Sequence, residues 1–187
     1  MKKVLNNVEL VLIISTVAAA IWGFFPSNLS TSLGLLSFMF LSCFYFFLSI
    51  FHFKTDAPKA SVPHILGLIG TGLFLSILVM GVLFKFFRWE GANEMLIVGL
   101  VTMSILILFY GFRYFQTKSS VYSKILTRLI VFSVVGLCLY SISSTRIMEL
   151  KFRNYPSYVN AIKEYEADNR NPEKLQKLHE ERLKFRF

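Results

Sequence analysis

Long apolar runs alternate with short polar segments along most of this 187-residue chain. Five stretches lack Asp, Glu, Lys, Arg, Asn and Gln altogether, and they cover residues 10–25, 33–51, 65–84, 95–112 and 129–144. A helix needs about 20 apolar residues to cross a hydrocarbon core of about 30 Å. Because lipid offers the backbone no hydrogen-bond partner, such runs are predicted to be transmembrane helices.

The complete pattern predicts an all-α fold, a polytopic membrane helix bundle with about five transmembrane helices and a short C-terminal helical hairpin. The bundle is assigned to residues 1–150 and a soluble helical tail to residues 151–187. With their flanking residues, the spans are expected at about 8–25, 32–52, 63–86, 94–114 and 125–146.

The first apolar run has a second interpretation, as a secretory signal. Lys2 and Lys3 precede it, and it ends in three alanines at positions 18–20, which is the pattern of a cleavable leader. Glu9 at the start of the run favours a retained helix instead.

The tail predicts two short helices separated near Asp168. The second helix is predicted to start with an N-cap, a first-turn proline and an early acid, at Asn171, Pro172 and Glu173. The apolar positions of the tail are candidates for docking a partner: Tyr158, Val159, Ile162, Tyr165, Leu175 and Leu178. About 30 residues are too few to bury a core alone. The tail is therefore expected to lie on the bundle, on lipid headgroups or on a partner.

Composition and charge agree with a membrane protein. Hydrophobic residues make up 55% of the chain and Phe occurs 20 times, which is too apolar for a water-soluble globule. The net charge is +9, but the basic residues are dispersed between apolar blocks. This arrangement suits membrane orientation and anionic headgroups, not nucleic acid. The predicted partners are the lipid bilayer and other membrane or envelope proteins, with no nucleic acid.

Lys and Arg near the span ends predict the orientation. A cytoplasmic N-terminus places eight cations in the cytoplasm: Lys2, Lys3, Lys54, Lys59, Arg113, Lys118, Lys124 and Arg128. It leaves five on the other side: Lys85, Arg88, Arg146, Lys151 and Arg153. The bias favours this orientation, with the C-terminal tail in the periplasm.

No catalytic, cofactor or metal site is predicted, and an enzyme is the less favoured class. The chain lacks HExxH, GxSxG and a Walker loop. Cys43 and Cys138 lie in apolar runs outside any CxxC pattern and are interpreted as small packing residues. An active site would have to combine Glu9, His52 or His64 at the cytoplasmic edge.

The span interiors offer hydroxyls as their polar groups, among them Ser42, Tyr45, Thr71, Ser76, Thr102, Ser104 and Tyr140. These are expected to serve helix packing and backbone hydrogen bonding and not a conduction path. Glu9 and Glu94 are expected at helix ends, where water solvates them.

Residues 81–102 predict a tight hairpin between the third and fourth spans. Its interface anchors and motif residues are Lys85, Arg88, Trp89, Gly91, Gly99 and Thr102. In physical terms, Lys85 reaches the headgroups, Trp89 anchors at the interface and Gly91 turns the chain. Residues of about 72–112 also resemble the transmembrane hairpin of GldL, the motor subunit of the gliding-motility and type IX secretion machinery of Bacteroidota. The matching positions are Gly81, Leu83, Phe84, Lys85, Trp89, Gly99, Leu100 and Thr102.

The resemblance implies a bacterial inner-membrane protein that belongs to an envelope complex. In the GldL family a glutamate implicated in proton coupling follows the threonine, whereas Met103 follows Thr102 here. The family's histidine before the tryptophan is Arg88. The favoured hypothesis is therefore a non-enzymatic scaffold or accessory subunit without the proton-motor glutamate. The alternatives are a channel or small-solute transporter, and a membrane-embedded enzyme that acts at the cytoplasmic interface.

Overall fold

The computed structural model describes residues 2–24, 27–56, 62–168 and 170–184. Within these ranges every regular element is an α-helix, which confirms the predicted all-α class. The helices are α1 Lys2–Trp22, α2 Asn28–Asp56, α3 Val62–Phe87, α4 Ala92–Thr117, α5 Ser120–Ser141, α6 Ser144–Lys151, α7 Pro156–Ala167 and α8 Pro172–Leu183.

The first five helices are long and apolar enough to cross a membrane, as predicted. The candidate spans are Val4–Trp22, Leu29–Leu48, Gly67–Phe87, Ala92–Thr117 and Ser120–Ser141. Large apolar side chains are exposed along them, for example Val11 on α1 and Leu108 on α4, which are 64% and 75% exposed. Such surfaces suit contact with lipid tails.

Helix α3 lies at the centre of the bundle and packs against α2, α4 and α5. Its side chains Leu75, Leu78 and Leu83 are buried together with Leu96 and Met103 of α4. Helix α1 packs against α2 at the edge of the bundle. In agreement with this central position, α3 is the most buried of the five candidate spans.

Glycines let the helices around α3 approach closely. A Cβ atom at Gly99 would lie 2.9 Å from Leu78 Cδ1 and 3.3 Å from Leu78 Cα. A Cβ atom at Gly136 of α5 would lie 3.0 Å from the same Leu78 Cδ1. Leu78 therefore fits between two glycines on two different helices, a common device for close packing in membranes.

The connections follow recognisable capping rules. Gly91 precedes α4 with a φ of +79°, a left-handed conformation that glycine adopts at little cost. The side chain of Asn171 accepts a hydrogen bond from Glu173 N at 3.0 Å, and Pro172 follows it in the first turn of α8. The predicted start of the last helix is confirmed.

The fifth span ends at Ser141, a few residues before the expected end near 146. Ile142 is extended, and Ser143 caps the separate helix α6 by accepting a hydrogen bond from Arg146 N at 3.2 Å. The sequence did not predict α6. The boundary between α5 and α6 depends on the Ser143 cap, and it lies inside a continuous apolar run that gave no sign of a helix end.

The tail adjoins the bundle mainly through α6, and the surface that α7 and α8 dock on stays a prediction. Met148 of α6 is buried with Val159 and Ile162 of α7, and Phe152, Tyr158 and Leu178 pack against them. Helices α7 and α8 pack together as the predicted hairpin, and α6 contacts the end of α3. The small core of the tail is thus built from three helices.

Candidate functional site

A buried ion pair links α1 to α5 inside the bundle. Glu9 is 7% exposed, and its carboxylate accepts hydrogen bonds from Arg128 Nε at 2.7 Å and Arg128 Nη2 at 2.5 Å. Tyr45 OH of α2 donates to the same carboxylate at 3.0 Å. The expectation that Glu9 is solvated at a helix end was wrong. Arg128, which the sequence analysis counted among the cytoplasmic cations, pairs with Glu9 of α1.

The pair lies well inside the helices. Glu9 is seven residues beyond the start of α1, which corresponds to about 10 Å along the helix axis. Arg128 is eight residues beyond the start of α5, or about 12 Å along it. A charge in lipid is costly unless it is paired, and the bidentate geometry supplies the strongest pairing that Arg and a carboxylate form.

A second polar contact lies on α3 and α4. Thr71 Oγ1 donates to the Gly67 carbonyl oxygen at 2.7 Å and lies 3.1 Å from the hydroxyl oxygen of Tyr110. Thr71 is 7% exposed and Tyr110 is fully buried. With Glu9, Tyr45 and Arg128, each of the five spans contributes one polar side chain. We call these five residues the polar layer.

A cavity of about 30 Å³ lies between the two halves of the polar layer. Tyr45, Thr71 and Arg128 line it, and the rest of its wall is Leu48, Leu68, Gly72, Leu75 and Ile125. These residues come from α2, α3 and α5, and the surface that they turn towards the cavity is almost entirely apolar.

Four of the other candidate hydroxyls make packing or backbone hydrogen bonds, as expected, whereas Tyr140 is 42% exposed. The Ser42 and Ser76 hydroxyl oxygens lie 2.7 Å apart and join α2 to α3. Thr102 and Ser104 donate to the carbonyl oxygens of Val98 and Leu100, four residues earlier. These contacts satisfy each hydroxyl locally.

Met103 lies in the apolar centre of the bundle and is fully buried. Leu78, Leu83 and Leu96 belong to the same cluster. These apolar side chains separate the polar layer from the opposite end of the hairpin.

Lys85 lies at that opposite end and is 2% exposed. Its Nζ donates to Asn93 Oδ1 at 2.7 Å, which ties the end of α3 to the start of α4. Trp89 is 45% exposed, and its ring packs on Phe84 at 5.1 Å between centroids. Trp89 is thus placed as an interface anchor would be, while Lys85 points to its neighbouring helix.

Arg88 connects the hairpin turn to the tail. Its φ is +58°, and its Nη1 lies 2.9 Å from Met148 Sδ. Its Nη2 donates to Glu166 of α7.

Lys151 of α6 lies over the rings of Phe86 and Phe87, and its Nζ is 5.7 and 5.5 Å from their centroids. Burial lowers the pKa of the Lys151 ammonium.

The candidate docking residues of the tail divide into two groups. Val159 and Ile162 are buried in the tail's own core, and Tyr158 and Leu178 pack against it. Leu175 is 41% exposed and Tyr165 is partly exposed. Leu183, which the sequence analysis did not single out, is 79% exposed. Docking of a partner by the tail stays a prediction. The exposed apolar side chains that could contact such a partner, Leu175 and Leu183, are on α8.

The remaining candidates are placed as follows. Cys43 and Cys138, interpreted as small packing residues, are exposed on the bundle surface. The side chains of His52 and His64 fall outside the described residues. In the part of the chain that the structure describes, no group of three or more His, Cys, Asp and Glu side chains could hold a metal.

The family model of the GldL N-terminal domain matches residues 71–129. This range contains most of α3, all of α4 and the start of α5 up to Leu129. It confirms the resemblance of the hairpin and extends past it to Arg128, whereas Glu9 and Tyr45 lie outside it. No match was found among curated proteins or among solved structures.

Sequence reasoning missed the Glu9–Arg128 pair, although a signal was present. Each residue lies directly before an uncharged run, and the two runs start from the same end of the bundle. Two opposite charges at matching depths on different spans can pair in the membrane.

Proposed function

We propose that the protein is a non-enzymatic subunit of a bacterial inner-membrane complex of the gliding or type IX secretion kind. Its α3–α4 hairpin would serve assembly, without carrying protons. The observation that carries this proposal is the GldL-type hairpin with a buried methionine at position 103. A thioether cannot take up a proton, and its neighbours in the core are apolar.

The hairpin geometry supports an assembly role. Gly99 holds α3 and α4 in close contact, and Lys85 joins their ends through Asn93. The outward side of α4 carries Val101, Ile105 and Leu108, which are 56–75% exposed. A rigid hairpin with an apolar outer side suits contact with lipid or with another membrane helix.

The exposed side of α8 is the proposed docking surface for an envelope partner, with Leu175 and Leu183 as its apolar contacts. The periplasmic placement of the tail is part of the proposal.

Affinity purification after chemical cross-linking in the native membrane tests the proposal. We expect the full chain to retain one or more envelope proteins in constant proportion. We expect Leu175→Glu to lose them while the variant remains in the membrane. Gln176→Glu is the matched control, since it adds the same charge to an exposed neighbouring position of α8. A chain that migrates alone in mild detergent, and cross-links to no other protein, would contradict the subunit role.

A channel or transporter is the second candidate, because the polar layer and its cavity lie inside the bundle. The cavity is about 30 Å³ and most of its wall is apolar. The Ser42–Ser76 contact is separate from the polar layer, and Leu78, Met103 and Leu96 lie in the apolar core between that layer and the α3–α4 turn. These features favour a closed bundle.

We therefore expect the purified protein in liposomes to show no proton flux under an imposed pH gradient. Liposomes with a proton ionophore serve as the positive control. A proton current that disappears in Glu9→Gln would reject the non-motor interpretation and favour the transporter.

A further inference from the structure

We propose that the cavity beside Arg128 holds part of one acyl chain of an anionic phospholipid, and that Lys124 binds the phosphate of the same lipid. The site lies outside the proposed assembly role of the hairpin. It rests on the position of the cavity between the helices, on its apolar surface and on the free cation next to it.

The cavity lies in a gap between α2 and α5. Both helices pack against α3, but none of their described Cα atoms come within 8 Å of each other. Side chains bridge the gap: Arg128 of α5 reaches Glu9, and the ring of Phe132 lies 5.1 Å from the ring of Tyr45. Beside these bridges the gap is not filled by protein, and the cavity opens on one side.

The depth of the cavity places it within the hydrocarbon region. Leu68 and Leu75 line it, and they follow the start of α3 at Val62 by about 9 and 20 Å along the helix axis. Ile125, also in its wall, lies about 8 Å beyond the start of α5. All three belong to candidate membrane spans. The molecules that meet the open side at this depth are therefore lipid tails.

The surface and size of the cavity suit a hydrocarbon chain. Because its surface is almost entirely apolar, a polar solute would lose its hydrogen bonds there. The volume of about 30 Å³ is also well below the roughly 300–1,000 Å³ of pockets that enclose a small-molecule ligand. A flexible chain can place a few carbon atoms in this space, which restores the dispersion contacts that an empty cavity lacks.

Lys124 supplies the charge for the headgroup. It is exposed about 6 Å beyond the start of α5, and it lies one turn before Arg128 on the same side of that helix. Arg128 is paired with Glu9, whereas Lys124 has no hydrogen bond or ion pair with the described residues. The sequence between residues 95 and 148 contains no Asp or Glu. A lipid phosphate is the anion that the membrane provides at this level.

Native mass spectrometry of the full-length protein with added lipid tests the headgroup. We expect one phosphatidylglycerol per chain at concentrations at which phosphatidylcholine leaves the chain bare. Lys124→Gln should weaken the binding of phosphatidylglycerol about fivefold, the effect of one cation near a lipid surface. Lys118→Gln is the matched control, because its ammonium lies over the rings of Tyr114 and Phe115 on α4. Equal binding of the two lipids would overturn the proposal.

A second pair of variants tests the acyl chain. Ile125→Phe should fill the cavity and abolish the bound lipid. Ile130→Phe makes the same change on α5 at a position that is 45% exposed and does not line the cavity, so the lipid should remain. Equal retention by both variants would place the lipid elsewhere on the surface. A dimer that carries no lipid would assign the cavity to a second copy of the chain. Either result would overturn the proposal.

Photo-cross-linking of the natural chain decides if Ile125→Phe fails to fold. The probe is phosphatidylglycerol with a diazirine in its acyl chain, added to the protein in nanodiscs. Leu75 lines the cavity and Leu78 does not, although both belong to α3 and are 2% and 0% exposed. We expect the probe to label Leu75 and not Leu78. Absence of label at Leu75 would show that no acyl chain enters the cavity.

Discussion

Glu9 shows how one side chain depends on a residue elsewhere in the bundle. Its carboxylate accepts hydrogen bonds from Tyr45 and Arg128, and Arg128 lies 119 residues away along the chain. In the hydrocarbon region, water cannot solvate the carboxylate or the guanidinium in place of its partner. The environment of Glu9 therefore differs from that of a carboxylate at a membrane edge, although it follows only seven residues after Lys2.

Glu9→Gln should destabilise the protein, because it leaves the Arg128 guanidinium buried without a counter-charge. We expect a loss of about 3 kcal/mol in the free energy of unfolding. Thermal unfolding in detergent measures it as a lowered midpoint. Arg128→Gln should cost a similar amount, and the double variant should cost less than the sum of the two.

Lys124→Gln is the matched control for Arg128→Gln, since Lys124 is exposed one turn earlier on α5. It should leave the midpoint unchanged. Additive effects of Glu9→Gln and Arg128→Gln would contradict the pairing.

At the scale of elements, the contact between α3 and α4 depends on glycines at selected positions. Gly99 and Gly111 lie on the same helix, but a Cβ atom at Gly99 meets Leu78, whereas at Gly111 nothing lies within 4 Å. The same residue type thus has two different roles on α4.

Gly99→Val should force α3 and α4 apart and destabilise the bundle by about 1–3 kcal/mol, the usual cost of an overfilled core. Gly111→Ala should be neutral or stabilising by up to about 1 kcal/mol, because alanine favours the helix. Chemical unfolding of both variants gives the comparison. Equal stability of the two would mean that the close approach at Gly99 is absent.

The tail is joined to the hairpin by Arg88. Arg88→Glu should release α7 from the turn, because it places a like charge beside Glu166. The side chains of Arg88 and Glu166 are 24% and 43% exposed, so the effect on stability should be about 1 kcal/mol or less. Limited proteolysis near residue 154 should be faster in this variant. The double variant Arg88→Glu/Glu166→Arg should restore the natural rate, and failure of this rescue would count against the ion pair.

Acid should loosen α6 from α7. The hydrogen bond and charge of Lys163 hold the pKa of Glu149 below its ordinary value. A lowered folded-state pKa means that the stabilising contribution is present at neutral pH and is lost as the pH falls through that lowered pKa. Hydrogen exchange of α7 should therefore rise at acid pH. Glu149→Gln should remove this part of the pH dependence, and an unchanged profile would contradict it.

At the scale of the whole molecule, five spans place the α3–α4 turn and the tail at one end of the bundle and the α4–α5 turn at the other. The positive-inside rule predicts that the first end is periplasmic. Two of the cations counted for this rule, one from each side of the count, are removed from water: Lys85 is buried and Arg128 is partly buried in its pair with Glu9. Without these two residues, the excess of Lys and Arg still lies on the predicted cytoplasmic side.

Single cysteines test this orientation in a background that lacks Cys43 and Cys138. Glu90→Cys in the α3–α4 turn and Arg170→Cys in the tail should react with an impermeant thiol reagent in intact cells. Gln116→Cys, near the α4–α5 turn, should react after permeabilisation alone. All three positions are exposed, so access to the reagent depends on the side of the membrane. Labelling of Gln116→Cys in intact cells would reverse the topology.

The sequence by itself determined the number of candidate spans, the start of α8 and the resemblance of the hairpin to the GldL N-terminal domain. These are local properties, because a run of apolar residues forces a helix in lipid and a cap acts within one turn. The GldL-type positions lie within one continuous segment and need no knowledge of distant contacts.

The tertiary structure alone decided the pairing of Glu9 with Arg128, the docking of Arg88 on Glu166 and the exposure of the cysteines. Each depends on which helix lies beside which, and sequence periodicity does not encode that choice. An ionisable residue next to an apolar run can face water or turn inward to a partner. For Glu9, the opposite charge on α5 and the hydroxyl on α2 made the inward position the stable one.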